Sequence, residues 1–419
     1  MAKIKEIHSR EILDAQGDPT VETTVILSDG SVGSASCPSG TMISKYESVE
    51  VRDHDDNRYL GKGVLKAIEN IEKFIAPQII GIEANKQQVI DKAMIELDGT
   101  MNKSRLGANA TLSVSMAVAK AAAKSSVLPL YLYIREFIKK ENVQLKMPTP
   151  IFNLINGGKH GGGNTELQEY LLIPATFKST SESLQMGITV FKKLEKILHD
   201  NGFGVLTGRE GGFSPNFPTN EDGFDFFSKA VNESGMRLGY DVFFGVDAES
   251  NYFFQVGGYK LKERQMLMSA DDLIDFYVEL IKKYHILYLE DPLSEDDWEG
   301  WAKLGPRLSR DTLIVGDDLT ATNPYRLQMA LDKKAINGIV IKPNQVGTVI
   351  EALAVVEISR IAGLKIIVSQ RSVETNDDFI ADFAVAVSAD YIKFGAPSRG
   401  EHVVKYNRLL EIEKQIKIL

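Results

Sequence analysis

VFFGVD (242–247), ILYLED (286–291), LIVGDD (313–318), GIVIK (338–342), KIIVSQR (365–371) and YIK (391–393) repeat one device between Asp241 and Pro397. Each is a short apolar run that ends in a charged residue. Continuous runs of Val, Ile, Leu, Phe and Tyr suit strands of a parallel sheet covered on both faces. From Glu290 onward the polar ends Asp317, Lys342, Arg371 and Lys393 follow one another at intervals of 22 to 29 residues, room for one strand, a loop and a crossover helix. Helical patterns fill most intervals: NPYRLQMALDKKA, TVIEALAVVEISRIAG and DDFIADFAVAVSA. The expectation is an α/β fold, a β/α barrel with its active site at the carboxyl ends of the strands.

An acidic residue just after a buried strand is often only a helix cap, a reading open for Asp291 and Asp318. The same arrangement at consecutive strand ends favours a site. Asp247, Glu290 and Asp317 would then bring three negative charges together. Each like-charged pair at 4 Å costs about 4 kcal/mol at an effective dielectric near 20, so the trio needs a cation or must protonate. All-oxygen ligands select a hard ion and suit Mg²⁺. A lysine beside such an ion has its pKa lowered and becomes a general base, a role open to Lys342 or Lys393; the competing role for Lys342 is a salt bridge within the cluster. Metal and lysine together suit removal of a proton from carbon next to a carboxylate. Arg371 with Ser372 suits an anionic group such as phosphate. Glu169 and Glu210 can supply the acid that protonates a leaving group.

Outward from this stretch the pattern changes. Residues 3–13, 20–30 and 31–37 read as three strands, with Asp29-Gly30 as a hairpin turn. Residues 63–79, 85–99 and 108–126 then carry helical periodicity. This makes residues 1–140 an N-terminal α+β capping domain and residues 141–419 the barrel, joined through a segment containing Pro148 and Pro150. Two further strands, IFNLI and ELQEYLLIP, enclose the loop NGGKHGGGN, and GFGVL (202–206) reads as another strand. The glycine loop lacks the order of a P-loop or a dinucleotide fingerprint, so it reads as a flexible carrier of His160, either a hydrogen-bonded structural histidine or a group at the barrel mouth.

With 419 residues, 43% of them hydrophobic, and a net charge of −9, the chain suits a core-bearing globular protein and not a general nucleic-acid or membrane-surface binder. MAKIKEIHSREIL lacks the apolar core of a signal peptide, and the single cysteine, Cys37, fits a reducing compartment, so the cytoplasm is expected.

REILDAQGDPTVE, RYLGKGV, NGGKHGGGN with LQEY, REGGFSPN, LEDPLSEDDWEGW, VGDDLTATNP, IKPNQVGT, SQRSVET and IKFGAPSR occur in this order along nearly the whole chain. In these stretches the chain resembles the enolases, glycolytic lyases. The resemblance implies reversible dehydration of 2-phosphoglycerate to phosphoenolpyruvate, Mg²⁺ and usually a homodimer. It implies Lys342 as the base at C2, Glu210 as the acid at the C3 hydroxyl with Glu169 assisting, and Asp247, Glu290 and Asp317 as ligands of the first Mg²⁺. Arg371 and Ser372 match a phosphate-binding pair. Lys393 matches a substrate-binding lysine, His160 the histidine of the mobile loop, and Gln370 another substrate-side position.

The departures from the family pattern lie around the site. After Pro38-Ser39-Gly40 the family continues Ala-Ser-Thr-Gly, where this chain has Thr41-Met42-Ile43-Ser44. A thioether at Met42 is a poor ligand for a second Mg²⁺, and Ile43 and Ser44 should stiffen the lid. GDEGG reads Gly208-Arg209-Glu210-Gly211-Gly212, so a guanidinium turned toward Glu210 would lower its pKa. SHRSGE reads Ser369-Gln370-Arg371-Ser372-Val373-Glu374, and Gln16 and Asp18 replace Arg and Asn in a segment that contributes to the family's dimer contact. Two alternatives follow: an enolase-like enzyme that takes an α proton from another carboxylate substrate, and a catalytically weak paralogue acting as a binding protein.

Overall fold

The computed structural model describes residues 2–40, 44–139, 144–163 and 165–418. The first strands are β1 (Ile4–Leu13), β2 (Pro19–Leu27) and β3 (Val32–Ser36), an antiparallel meander. β2 alternates buried and half-buried residues, the mark of a sheet with one covered face. Helix Ala108–Ser125 covers that face, and it approaches so closely that a Cβ on Gly33 would collide with the backbone of Ala117 and Ala121. The boundary expected at 140/141 falls in residues 140–143, outside the described residues.

Ten further strands follow among the described residues. Two of them, β7 (Phe254–Gln255) and β8 (Gly258–Tyr259), form a small separate hairpin. The other eight close into a barrel: β4 (Thr149–Asn156), β5 (Glu169–Pro174), β6 (Val242–Asp247), β9 (Ile286–Glu290), β10 (Leu313–Gly316), β11 (Gly338–Ile341), β12 (Lys365–Ser369) and β13 (Tyr391–Lys393), in this order around the ring. Ile151, Leu171, Ile173, Tyr288, Val315, Val340, Ile367 and Tyr391 fill the barrel interior. Polar strand-end groups therefore gather above this plug.

Two expectations are corrected here. The sheet is not wholly parallel, because β5 runs antiparallel to both β4 and β6. Between β4 and β5 the described residues form only the short helix Gly158–Gly161, which does not carry the chain back along the barrel, so β5 returns as the second arm of a hairpin. This reversal puts the first residue of β5, Glu169, beside Asn156 and Asp247, at the rim where the other strands end. The expected strand GFGVL is an irregular segment with Leu206 exposed. The ring of eight is complete without it; the loop lies against β4 through a bridge between Phe213 and Ile155.

The N-terminal part is fastened to the barrel at helix starts. Ser115 Oγ accepts the N–H of Val349 and Asp91 Oδ2 that of Ile350, each at 3.1 Å, in the first turn of helix Val349–Ile361. Free N–H groups of that turn thus find acceptors on the other part of the chain. Farther along, Ser39 and Val373 exchange backbone hydrogen bonds, which seats Pro38–Gly40 on the segment after β12.

Candidate active site

The strand-end groups meet above the barrel plug in two clusters that differ in counter-charge. In the first, the Lys393 ammonium donates to Glu290 Oε1 at 2.7 Å, Asp247 Oδ2 at 3.0 Å and Glu169 Oε2 at 3.0 Å. Three carboxylates from three neighbouring strands therefore converge on one cation-sized position, and all are buried. Lys342, just beyond β11, pairs with Asp317, just beyond β10, and Gln345 Nε2 donates to Asp317 Oδ1 at 3.2 Å. The carboxylates beside them set the lysine pKa values. Burial disfavours both ammonium ions, but Asp317 raises the pKa of Lys342, and Asp247, Glu169 and Glu290 raise that of Lys393. As folded, both lysines are counter-ions of the carboxylates.

On the wall opposite β11, the carboxyls Glu169 and Glu210 are driven apart. Burial works against ionisation of Glu169, but Lys393 and His160 outweigh it and hold the group down at about 2. His160 Nδ1 lies 3.1 Å from Glu169 Oε1, so this histidine is a buried, hydrogen-bonded member of the cluster. Burial raises Glu210 to about 7, and the Glu169 carboxylate pushes in the same direction. Gln370 Nε2 donates to Glu210 Oε2 at 2.8 Å. Arg209 is exposed and is not among the groups that move Glu210 most, which are Glu169, His160, Gln370 and Lys393; it lines the outer cleft with Ser39, Gly40 and Arg52. Arg209 and Glu210, adjacent on this loop, line different cavities, which removes one of the two observations that favoured a weakened paralogue; the other, Met42, lies outside the described residues.

Arg371 is buried, and its guanidinium pairs with Glu47 at 2.9 Å, while its backbone N–H is accepted by Glu374 Oε1 at 2.9 Å. Gly40 lies directly against the guanidinium, where a side chain would not fit. Ser44 Oγ donates to Glu295 Oε2 at 2.5 Å, which ties this part of the lid to the segment after β9. Met42 and Ile43 lie outside the described residues. His160, Glu169, Glu210, Asp247, Asp317, Lys342, Gln370, Arg371, Ser372 and Lys393 share one cavity, and Glu290 touches it through Lys393.

The second cluster was not singled out from the sequence. Glu249, Asp291 and Asp318 each bring a carboxylate oxygen within 4.8 Å of the others. Asp291 caps no helix; it accepts the backbone N–H groups of Asp317 at 3.1 Å and Asp318 at 2.7 Å. The spacing of Asp291 and Asp318 to their strands was visible, but Glu249 lies two residues past its strand, beyond the pattern that drew attention to Asp247. Glu47, the partner of Arg371, had no sequence signal at all.

A closed barrel with buried carboxylates and lysines gathered at one rim defines a class of barrel enzyme equipped for proton transfer. Residues 4–134 match the family model "Enolase, N-terminal domain", and residues 144–418 match "Enolase, C-terminal TIM barrel domain". The chain is 46% identical over 416 residues to "Enolase" of a Nitratiruptor species, covering 99% of this chain and 97% of that one. It belongs to the enolase family.

Proposed function

We propose that this chain is a hydro-lyase that interconverts 2-phosphoglycerate and phosphoenolpyruvate, in glycolysis and gluconeogenesis. The observation that carries the reading is the split between two neighbouring carboxyls, Glu210 at about 7 and Glu169 at about 2, facing a buried lysine across the barrel. Environments that push paired groups apart assign acid and base roles; the enolase superfamily, with a Lys or His base and Mg²⁺, is itself one of the established examples of such tuning.

In the dehydration direction Lys342 removes the proton at C2. The electron pair moves onto the substrate carboxylate and returns to form the C2–C3 double bond. Glu210 gives its proton to the C3 hydroxyl, which leaves as water. Asp317 holds Lys342 as the ammonium, the state it occupies after taking the proton; before the next turnover that proton passes to solvent, which leaves the neutral amine that acts as base. Glu169, kept ionised, maintains the proton on Glu210 through repulsion between the carboxylates. Arg371 and Ser372 face the phosphate, with His160, Gln370 and Lys393 on the rest of the substrate.

A hard cation fits Asp247, Glu290 and Asp317. The donors are all oxygen, and two of them already converge on a cation, the Lys393 ammonium. When bound, Mg²⁺ supplies positive charge beside the substrate carboxylate. Residues 1–140 act as the cap, and the protein works as a homodimer in the cytoplasm; Cys37, buried and free, suits that compartment. No helix among the described residues is long and apolar enough to cross a membrane.

The test is phosphoenolpyruvate formation from 2-phosphoglycerate, followed by absorbance as Mg²⁺ is titrated. Turnover in the range of about 1–10³ s⁻¹ is expected. No turnover in folded protein at saturating Mg²⁺ overturns the reading.

A further inference from the structure

Glu249, Asp291 and Asp318 lie one shell away from the strand-end carboxylates, and they are 4%, 2% and 6% exposed. Their counter-ion situation differs from that of Asp247, Glu290 and Asp317. Among the described residues, no lysine, arginine or histidine forms an ion pair with any of the three. The direct polar partners of Asp291 are backbone N–H groups. Asp318 Oδ2 accepts from Asn251 Nδ2 at 3.2 Å. Glu249 is the decisive member. Its Oε1 is fully buried without any hydrogen-bond partner, although a carboxylate oxygen of this residue faces the other two within 4.8 Å.

A buried carboxylate oxygen without a donor is costly. Two more carboxylates beside it raise the cost, because like charges so close repel by several kcal/mol even at an effective dielectric near 20. Asp291 Oδ1 accepts the N–H groups of Asp317 and, at 3.5 Å, Leu319, whereas Oδ2 accepts only that of Asp318 and keeps a lone pair for a ligand. Hydrogen bonds of this kind orient carboxylates that bind metals. Three converging carboxylates offer −3 of charge and oxygen donors only, which selects a hard divalent ion over a thiophilic one.

We infer that Glu249, Asp291 and Asp318 form a second divalent-cation site, distinct from the one at Asp247, Glu290 and Asp317. It needs no substrate oxygen and none of the lid, so it fills in the protein without substrate. Its ion anchors the turns after β6, β9 and β10, from which Asp247, Glu290 and Asp317 project.

The test counts Mn²⁺ bound per chain of the full-length protein without substrate, from the electron paramagnetic resonance of free Mn²⁺. The wild type is expected to bind one ion more than Glu249→Gln. Asp247→Asn, which weakens the strand-end site, is expected to keep the ion that Glu249→Gln loses. Equal stoichiometry in wild type and Glu249→Gln overturns the inference, as does a wild type that binds a single ion lost in Asp247→Asn. Should Glu249→Gln fail to fold, as judged by near-ultraviolet circular dichroism, Asp318→Asn carries the same comparison. The readout is independent of turnover, so an inactive protein would contradict the proposed function and leave this count intact.

Discussion

Two carboxylate trios stand side by side at the rim of the barrel, and the difference between them lies in their counter-charge. Asp247, Glu290 and Asp317 are held by Lys393 and Lys342, which the barrel delivers from β13 and β11. Glu249, Asp291 and Asp318, a residue or two farther along the same three connections, have backbone N–H groups and one amide as direct partners. A barrel can supply one layer of lysines to its own mouth because strand ends converge there. The layer behind it is fed by turns, which contribute dipoles but no ammonium. The first trio is therefore tied to chemistry through its lysines, and the second to an ion.

The largest effect falls on a lysine of the first trio. Lys342→Ala is expected to lower kcat by at least about 10³-fold and to abolish exchange of the C2 proton, while Mn²⁺ still binds. Retained exchange, read by deuterium loss from C2, would remove Lys342 from the base role. Next comes its counterpart across the barrel. Glu210→Gln is expected to cost about 10²–10³-fold in kcat, yet to leave C2 exchange running, because the proton at C2 belongs to the other wall. Loss of exchange in both variants would mean that the two walls do not divide the labour.

The trios also differ in what removal of one carboxylate does to stability in metal-free buffer. Asp317→Asn leaves the Lys342 ammonium buried without its partner and is expected to destabilise by about 3–5 kcal/mol. Glu249→Gln removes a charge that has no partner and is expected to stabilise by about 1–3 kcal/mol at pH 8. The pH dependence follows from burial and the neighbouring carboxylates Asp318 and Asp291, which raise the Glu249 carboxyl well above its usual range. A raised folded-state pKa contributes stability below the unfolded value of about 4.3, and this contribution is lost as pH rises through the folded value. The advantage of Glu249→Gln should thus shrink between pH 8 and pH 5. Shifts of opposite sign in the urea midpoints at pH 8, the larger in Asp317→Asn, would sharpen the contrast; destabilisation in both variants would break it.

The first trio was legible in the sequence, since its members terminate apolar runs and, from Glu290 onward, the strand ends follow at the 22 to 29 residues that one strand and a crossover helix take. The resemblance added roles for them. Pairing direction was not legible: nothing in ELQEYLLIP says that β5 runs backwards, and only the reversal explains how a residue at a strand start, Glu169, meets residues at strand ends. Nor does sequence say which way neighbouring side chains turn. Arg209 and Glu210 are adjacent, yet the first is exposed and the second buried, and burial and Glu169 dominate the shift of the carboxyl. Glu47 and Arg371 are 324 positions apart, so their contact belongs to tertiary structure alone.

The smallest expected effect tests what tunes Glu210 in place of Arg209. The Gln370 amide donates to the Glu210 carboxylate at 2.8 Å, which favours the ionised form and pulls against burial. Gln370→Leu keeps the volume and removes the donor, so the Glu210 carboxyl should rise above about 7, its present position. Dehydration needs this group protonated, and kcat should therefore fall on the alkaline side of that value. In Gln370→Leu the alkaline limb is expected to move up by roughly half a unit to one unit, the equivalent of one modest hydrogen bond. Gln370→His, which restores the family's residue, should move the limb the other way while its imidazole is protonated. A limb that stays fixed in both variants would show that the titrating group in kcat is not Glu210, and the division of labour between the two walls would have to be redrawn around another acid.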